Sequence, residues 1–313
     1  MPKIIIIGAD CFIGYHLKEY LLTMSDVQLS LAVYDKSYAD KRCKVYFCDI
    51  LNPETLQGVA TKDAIVINLV YLWGGSRDMN IQAIDNLLRE CESAGIRRFI
   101  HISTAFVAGR AANDVINEAT DCRPISEYEH NKLDIENYIL AYHGEFEKII
   151  VRPTVVFGPE GKNLLKMTDN LLFGKRWINY LRSCLFKCRT MNIVSIAVVI
   201  EAIQFLIRME RNLDGEIFIV SDDEHPHNTY SHVESLVMQY LDYRKYPIPV
   251  FGLPVFLTKK MLLLSGKSNT NPQRKFDCGK LAAYGFFKRT TLDDEICKYM
   301  EWFKKKFCGN KCG

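Results

Sequence analysis

No stretch of this chain is apolar for long enough to cross a bilayer. The strongest candidate, residues 246–264, is broken by Pro247, Pro249, Pro254, Lys259 and Lys260, well below the length of a membrane span. It is expected to pack onto the protein, with no membrane span. The apolar run at residues 4–7 is likewise too short for a signal peptide and flows directly into Gly8, so it reads as a buried strand. A disulfide framework is also missing. The eleven cysteines, at 11, 43, 48, 91, 122, 184, 188, 278, 297, 308 and 312, are odd in number and keep no framework spacing, which fits free thiols in a reducing, cytoplasmic setting. Cys184 with Cys188 and Cys308 with Cys312 have helical spacing. No histidine or further cysteine pair completes a tetrahedral set around either, so no metal is expected. Charge of one sign is lacking too: 40 basic against 37 acidic residues leave +3. The positive residues are dispersed apart from Lys304, Lys305, Lys306 and Lys311, which argues against nucleic acid as a partner and reads as a solvated tail. There is no internal repeat or low-complexity segment.

What is present is an ordinary globular composition, 48% hydrophobic and 25% charged over 313 residues. That suffices for a large core in one big α/β domain or two interleaved lobes. Apolar runs at residues 3–7, 30–34, 44–47, 64–69, 98–103 and 148–152 read as strands, and helical patterns separate them. Such alternation predicts a parallel sheet covered on both faces. Between the first two strands Ile13, Leu17, Tyr20 and Leu21 line one helix face, completing a βαβ unit. After Gly158 the rhythm changes to longer, irregular, aromatic- and lysine-rich pieces, including residues 173–189. Residues 215–221 read as a further strand. The expected division is residues 1–158 and a second lobe over 159–313, with a segment near 190–222 returning to the sheet.

Gly8-Ala9-Asp10-Cys11-Phe12-Ile13-Gly14 follows the first strand and opens the helix. A helix start in that position offers free N–H groups to a pyrophosphate. Cys11 occupies the middle position, where glycine lets the backbone approach phosphate closely. Asp35 ends the second strand, 21 residues beyond Gly14. Its carboxylate can accept hydrogen bonds from an adenosine ribose and would repel a 2′-phosphate, which favours NAD; the neighbouring Lys36 leaves NADP open.

Three further segments stand in order: Ser103 to Gly109, Tyr128-Glu129-His130-Asn131-Lys132, and Arg152-Pro153-Thr154-Val155-Val156-Phe157-Gly158-Pro159. With the glycine turn they make the chain resemble the extended short-chain dehydrogenase/reductase family of nucleotide-sugar epimerases, dehydratases and ketoreductases. The resemblance covers nearly the whole chain. It implies a Rossmann-type, doubly wound parallel sheet with a smaller C-terminal substrate lobe. It also implies that Gly8, Cys11, Phe12, Ile13 and Gly14 hold the dinucleotide phosphates and that Asp49 and Ile50 contact adenine. By the same likeness Asn68 and Leu69 pass beside the cofactor, and Asn80, at the start of a helix over 80–88, supports it.

Reducing a carbonyl needs a proton donor beside the hydride acceptor, and the reverse reaction needs a base there. Tyr128 suits both. Lys132, one helical turn on, is expected to favour its phenolate and to bond the nicotinamide ribose, while the Thr104 hydroxyl holds the substrate oxygen. The 4,6-dehydratases of the family carry an aspartate and a glutamate after the threonine, where this chain has Ala105 and Phe106. Elimination is therefore disfavoured. Many nucleotide-sugar members have asparagine at the position of Val155 and an acidic pair at those of Ala197 and Val198, and both are absent here. Residues 276–281 with Gly285 and Phe286 resemble the family's closing helix. Asn163, Lys175, Arg176, Arg182 and Arg189 are either contacts for an anionic diphosphate or a solvated helix face.

The favoured reading is 4-ketoreduction of a nucleotide-activated 6-deoxy sugar. Three others stay open: 4-epimerisation, reduction of a non-sugar ketone, and dinucleotide binding without turnover, the last motivated by Cys11 and Val155. The resemblance also implies a homodimer pairing through helices over 80–94 and 127–142.

Overall fold

The computed structural model describes residues 1–264, 266 and 269–308; Lys311 and Cys312 lie outside them, as does the side chain of Cys308. The chain runs β1 (Lys3–Ile7), α1 (Phe12–Leu22), β2 (Gln28–Val33), β3 (Lys44–Phe47), β4 (Ile65–Asn68), α2 (Arg77–Ala94), β5 (Arg98–Ile102), β6 (Val115–Ile116), α3 (Glu127–Ala141) and β7 (Glu147–Pro153). It continues β8 (Val155–Phe157), α4 (Leu165–Phe173), α5 (Arg176–Phe186), β9 (Ile193–Ser195), α6 (Ile196–Arg208), β10 (Glu216–Val220), α7 (Tyr230–Tyr240), α8 (Val255–Leu264), β11 (Lys275–Phe276), α9 (Gly279–Ala283) and α10 (Leu292–Phe303).

Seven strands form one sheet in the order β10-β7-β5-β4-β1-β2-β3. The pairs joining β3, β2, β1, β4, β5 and β7 are parallel, with registers such as Ile7 opposite Ala32 and Asn68. This is the doubly wound order: the chain moves outward from β1 to β3, then crosses back to β4 on the other side. A crevice opens where the direction reverses, at the carboxyl ends of β1 and β4. The strands are apolar throughout because both faces are covered. Ile4, Ile6, Ile67, Phe99 and Ile100 are fully buried, each worth roughly 1.5–3 kcal/mol of transfer free energy. On one face α2 and α3 supply Ile84, Leu87, Leu88, Ile135 and Ile139 to the same core as Ile5, Val66 and Ile150.

Two compact units are formed by chain contacts. The first comprises Met1–Val107, Ser126–Arg152 and Ala202–Phe218, and the second comprises Ala108–Ile125, Pro153–Glu201 and the chain from Ile219 onward. The expected boundary at 158 thus falls at Arg152, and residues 108–125 join the second unit early. Their pairing explains why: β6 runs parallel to β11, and Lys275 N donates to the Asp114 carbonyl at 3.0 Å. The returning segment is 202–218, narrower than 190–222. Within the second unit Phe157, Leu164, Leu171, Val237, Ile296 and Met300 build a separate core.

Four local expectations are corrected. The helix expected from Asn80 begins at Arg77, because Ser76 caps it by accepting the Met79 N–H, an effect typically worth about 1 kcal/mol. Residues 173–189 are regular, forming the end of α4 and all of α5. The segment 246–264 packs down only in part: residues 246–253 bond to α5, whereas of α8 only Thr258 and Leu262 are buried. The expected closing helix over 276–281 is β11 followed by α9.

Candidate active site

Both glycines of the turn after β1 are dictated by local geometry. Gly8 sits at φ +81°, and a Cβ there would also lie 2.8 Å from Val70 Cγ2. At Gly14 a Cβ would come within 2.7 Å of Ala9 Cα, so only glycine lets α1 start against the turn. Cys11 is the N-cap of α1, and its Sγ accepts the Gly14 N–H at 3.3 Å. Burial pushes the thiol pKa up, and the Gly14 and Ile13 N–H groups oppose that rise. The cysteine side chain therefore occupies donors at the helix start that an anion would otherwise use. Phe12 and Ile13 open α1, with the Phe12 ring edge-on to His16 at 5.1 Å.

Beside this turn lies a cleft of about 400 Å³, lined by Gly8, Cys11, Ala32, Asp49, Ile50 and Leu69 among others. The switch-point crevice thus gathers five of the residues assigned from sequence to a dinucleotide. Asp49 is held in a tight turn, its Oδ1 accepting the Leu51 N–H at 3.0 Å. The Leu69 N–H donates to the Ile7 carbonyl at 3.0 Å. Asp35 lies outside the cleft, in an adjoining hollow with Lys36 and Phe47. Its Oδ1 accepts from Ser37 N at 2.8 Å and Ser37 Oγ at 2.7 Å, bonds that hold the carboxyl below its usual range. Asn80 is not turned to the cleft: its Oδ1 accepts the Leu72 N–H at 3.0 Å and its Nδ2 donates to the Ser76 carbonyl at 3.1 Å. It pins the loop between β4 and α2.

Asn68 is fully buried at the end of β4. Val70 N donates to Asn68 Oδ1 at 3.0 Å, which turns Nδ2 toward His101 Nδ1 at 3.1 Å. His101 thus accepts at Nδ1 and carries its proton on Nε2. Burial, with the Lys132 charge added, holds its pKa well below the usual imidazole value. It is a neutral core histidine whose Nε2, like the Ser103 hydroxyl, is buried without a hydrogen-bond partner.

Thr104 follows β5, and Tyr128 and Lys132 lie on α3, which Ser126 and Glu129 start with a capping box. The Thr104 hydroxyl acts on the Tyr128 phenol, opposing the rise of its pKa. Phe106 N donates to Thr104 Oγ1 at 3.3 Å, leaving the hydroxyl proton for the phenol. Lys132 is buried, donates to the Ile102 carbonyl at 3.1 Å and sits 5.0 Å from the centre of the Tyr71 ring. Burial pulls its pKa down to about 8, against the raising charges of Glu136 and Cys11. The phenol does not follow expectation. Burial pushes Tyr128 up to about 12, with Thr104 opposing and Tyr71 and Glu129 adding. The reason is geometric: the Lys132 ammonium is turned to Ile102 and Tyr71, not to the phenol oxygen.

Sequence reasoning missed three parts of this arrangement. Trp73, 77% exposed, stacks on Tyr128 with centroids 5.0 Å apart and planes at 6°, while Tyr71 meets both rings edge-on. Only the aromatic residues ahead of Gly74 and Gly75 hinted at it. Glu136 continues the Tyr128 and Lys132 spacing by four and takes a buried bidentate pair from Arg152 Nε (3.1 and 3.0 Å), with Arg152 Nη2 2.5 Å from Oε2. That spacing was readable. Finally, the absence of metal was argued from cysteines alone, whereas His225, His227 and Asp293 place one ligand atom each within 4.8 Å of one another.

Of the residues considered for an anionic diphosphate, Asn163 donates to the Val156 carbonyl at 2.6 Å, Arg176 to the Arg244 carbonyl at 3.2 Å and Arg182 to Asn179 Oδ1 at 3.1 Å. Burial pulls the Arg189 pKa down. Lys175 is exposed. Four of the five are tied up locally or largely buried, so they form neither a free cluster nor a simple solvated face.

Comparison with known proteins gives one family match, to the NAD dependent epimerase/dehydratase family over residues 4–178. The chain is 26% identical over 197 residues to a dTDP-D-glucose 4,6-dehydratase of Dictyostelium discoideum, covering 51% of this chain and 45% of that protein. The match thus spans less than half of that relative's length. To a UDP-glucose 4-epimerase of Vibrio cholerae it is 26% identical over 295 residues, 86% of this chain and 84% of the relative. Among solved structures, a dTDP-glucose 4,6-dehydratase from Bacillus anthracis in complex with NAD superposes with a TM-score of 0.74 at 17% identity, covering 98% of each chain.

Proposed function

Because the chain belongs to the NAD dependent epimerase/dehydratase family, we propose that it transfers hydride between a nicotinamide dinucleotide and carbon 4 of a nucleotide-activated sugar, as a 4-ketoreductase of a 6-deoxy sugar. The observation that carries this reading is the pairing of Thr104 with Tyr128, above a buried Lys132 and with no carboxyl group at positions 105 and 106. Nothing in that pair of positions can take or give a proton at carbons five and six, as elimination requires.

The cleft suits the dinucleotide. Gly8 and Gly14 leave a cradle that a Cβ would fill, and Asp49 and Ile50 line the side toward β2 and β3. Asp35 would hold the adenosine ribose, and its charge favours NAD over NADP. When bound, the cofactor supplies the hydride. The protein's own residues do the rest. Thr104, held by the Phe106 N–H, hydrogen-bonds the substrate oxygen together with the phenol. Tyr128, neutral because of its burial, gives its proton to that oxygen as the carbonyl is reduced. Lys132, bonded to the Ile102 carbonyl and lying over the Tyr71 ring, would turn to the nicotinamide ribose when the cofactor is bound.

The second reading is 4-epimerisation, favoured by the long match to the Vibrio cholerae epimerase. The two separate by stoichiometry. With a 4-keto-6-deoxy nucleotide sugar, NADH is expected to be consumed one for one, and Tyr128→Phe is expected to slow that consumption about 100- to 10,000-fold. Interconversion of a nucleotide hexose with no net NADH change would establish epimerisation instead. We place a homodimer at α2 and α3, by analogy with the family; light scattering of Arg77→Glu checks it.

A further inference from the structure

The exposed part of the apolar segment 246–264, α8, lies on the second unit as part of a larger exposed face. In α8 only two residues turn inward, while Phe256 is 68% and Leu264 79% exposed. The strap ahead of it, residues 246–253, lies along α5. Tyr180 Oη donates to the Pro249 carbonyl at 3.1 Å, Lys187 Nζ to the Val250 carbonyl at 2.9 Å, and Leu253 N to the Cys184 carbonyl at 3.3 Å. This joins the exposed ridge of α5, Trp177 and Leu181 at four-residue spacing, through Ile248 and Phe251 to α8. A cavity of about 440 Å³ opens between Trp177, Tyr180, Tyr246 and Ile248. Soluble proteins rarely leave contiguous apolar surface of this kind without a use.

Charge says what covers it. There is no Asp or Glu between Asp169 and Glu201, nor between Asp242 and Asp277. Lys175, Lys187, Arg244, Lys245, Lys259 and Lys260 are all exposed around the apolar ridge. A second copy of this chain would bring those cations against themselves, which opposes self-association. An acid-free apolar ridge with tryptophan, tyrosine and phenylalanine, edged by lysines whose stems can lie along it, matches the chemistry of a lipid interface.

We propose that this face docks on the surface of an anionic phospholipid bilayer, with Trp177, Phe251, Phe256 and Leu264 at the acyl boundary and the lysines on the headgroup phosphates. The contact is peripheral, since no helix among the described residues is long and apolar enough to cross a membrane. It stands independently of the hydride-transfer reading.

Sedimentation of the full chain with phosphatidylglycerol/phosphatidylethanolamine vesicles, against neutral phosphatidylcholine vesicles, tests it. Binding is expected to the anionic vesicles only, to weaken with added salt, and to shift Trp177 fluorescence to the blue. Lys259→Glu with Lys260→Glu is expected to weaken partitioning at least about 25-fold, at about fivefold per cation removed. Phe256→Ser with Leu264→Ser is expected to abolish it with the melting curve unchanged. The proposal is overturned if the wild-type chain ignores both vesicle types, or binds both equally. It is also overturned if sedimentation velocity shows self-association that these variants remove while no vesicle binding occurs. The composition and salt dependence of the wild-type chain decide the matter even if a variant fails to fold.

Discussion

Replacing Lys132 with methionine should make the protein more stable at neutral pH while disabling it. The ammonium is pulled from its ordinary 10.5 to about 8 by burial. At about 1.4 kcal/mol per unit, the folded state holds that charge at a cost of about 3 kcal/mol relative to the unfolded chain. The folded pKa lies below the unfolded one, so between about 8 and 10.5 the unfolded chain binds more protons. Stability therefore rises with pH across that window, and the penalty is fully present below it. Methionine has similar length and no charge. Its loss of the bond to the Ile102 carbonyl offsets part of the gain, so the pH dependence is the sharper quantity. Urea unfolding of both proteins from neutral pH to pH 10.5 should show the advantage of Lys132→Met shrinking by about 3 kcal/mol. Parallel stability curves for the two proteins would refute the argument.

Three other changes probe the same site. Glu136→Gln leaves Arg152 buried without its partner charge and should destabilise by about 3–5 kcal/mol; because Glu136 raises the Lys132 pKa, any pH-rate limb belonging to Lys132 should also move to lower pH. Tyr128→Phe should lower turnover about 100- to 10,000-fold with dinucleotide affinity nearly unchanged, checked by steady-state kinetics beside calorimetric binding. Cys11→Gly frees the Gly14 N–H that the thiol now occupies at 3.3 Å; dinucleotide titration should show tighter binding, at a stability cost of a few tenths of a kcal/mol, and weaker binding would mean that the thiol assists the phosphates.

Continuous apolar runs made the sheet readable: β1 and β3 fall where the sequence put them, and β2, β4, β5, β7 and β10 differ by one or two residues at an end. Helix α2 was cut short because its first turn is polar and its start is fixed by the Ser76 cap, not by apolar period. In α5 the mixture of arginines and aromatics, flanked by Lys175 and Lys187, hid a regular helix, since few of its side chains are fully buried. The placing of Tyr128 and Lys132 together was legible because they share one turn of one helix. Its electrostatics were not. Whether Lys132 faces the phenol depends on where the Ile102 carbonyl and the Tyr71 ring stand, and both come from other elements. The stacking of Trp73 on Tyr128 is likewise a product of chain folding and has no period to read.

Tyr128 and Thr104 are proposed to serve a net reduction at carbon 4. The most direct test is to supply NADH deuterated at both hydrogens of nicotinamide carbon 4 with a 4-keto-6-deoxy nucleotide sugar and follow the label by mass spectrometry and proton NMR. One deuterium is expected at carbon 4 of a single alcohol epimer, with equal NAD formed and at least about 100-fold less product from Tyr128→Phe. Product lacking deuterium, or both epimers appearing without net oxidation of NADH, would contradict it.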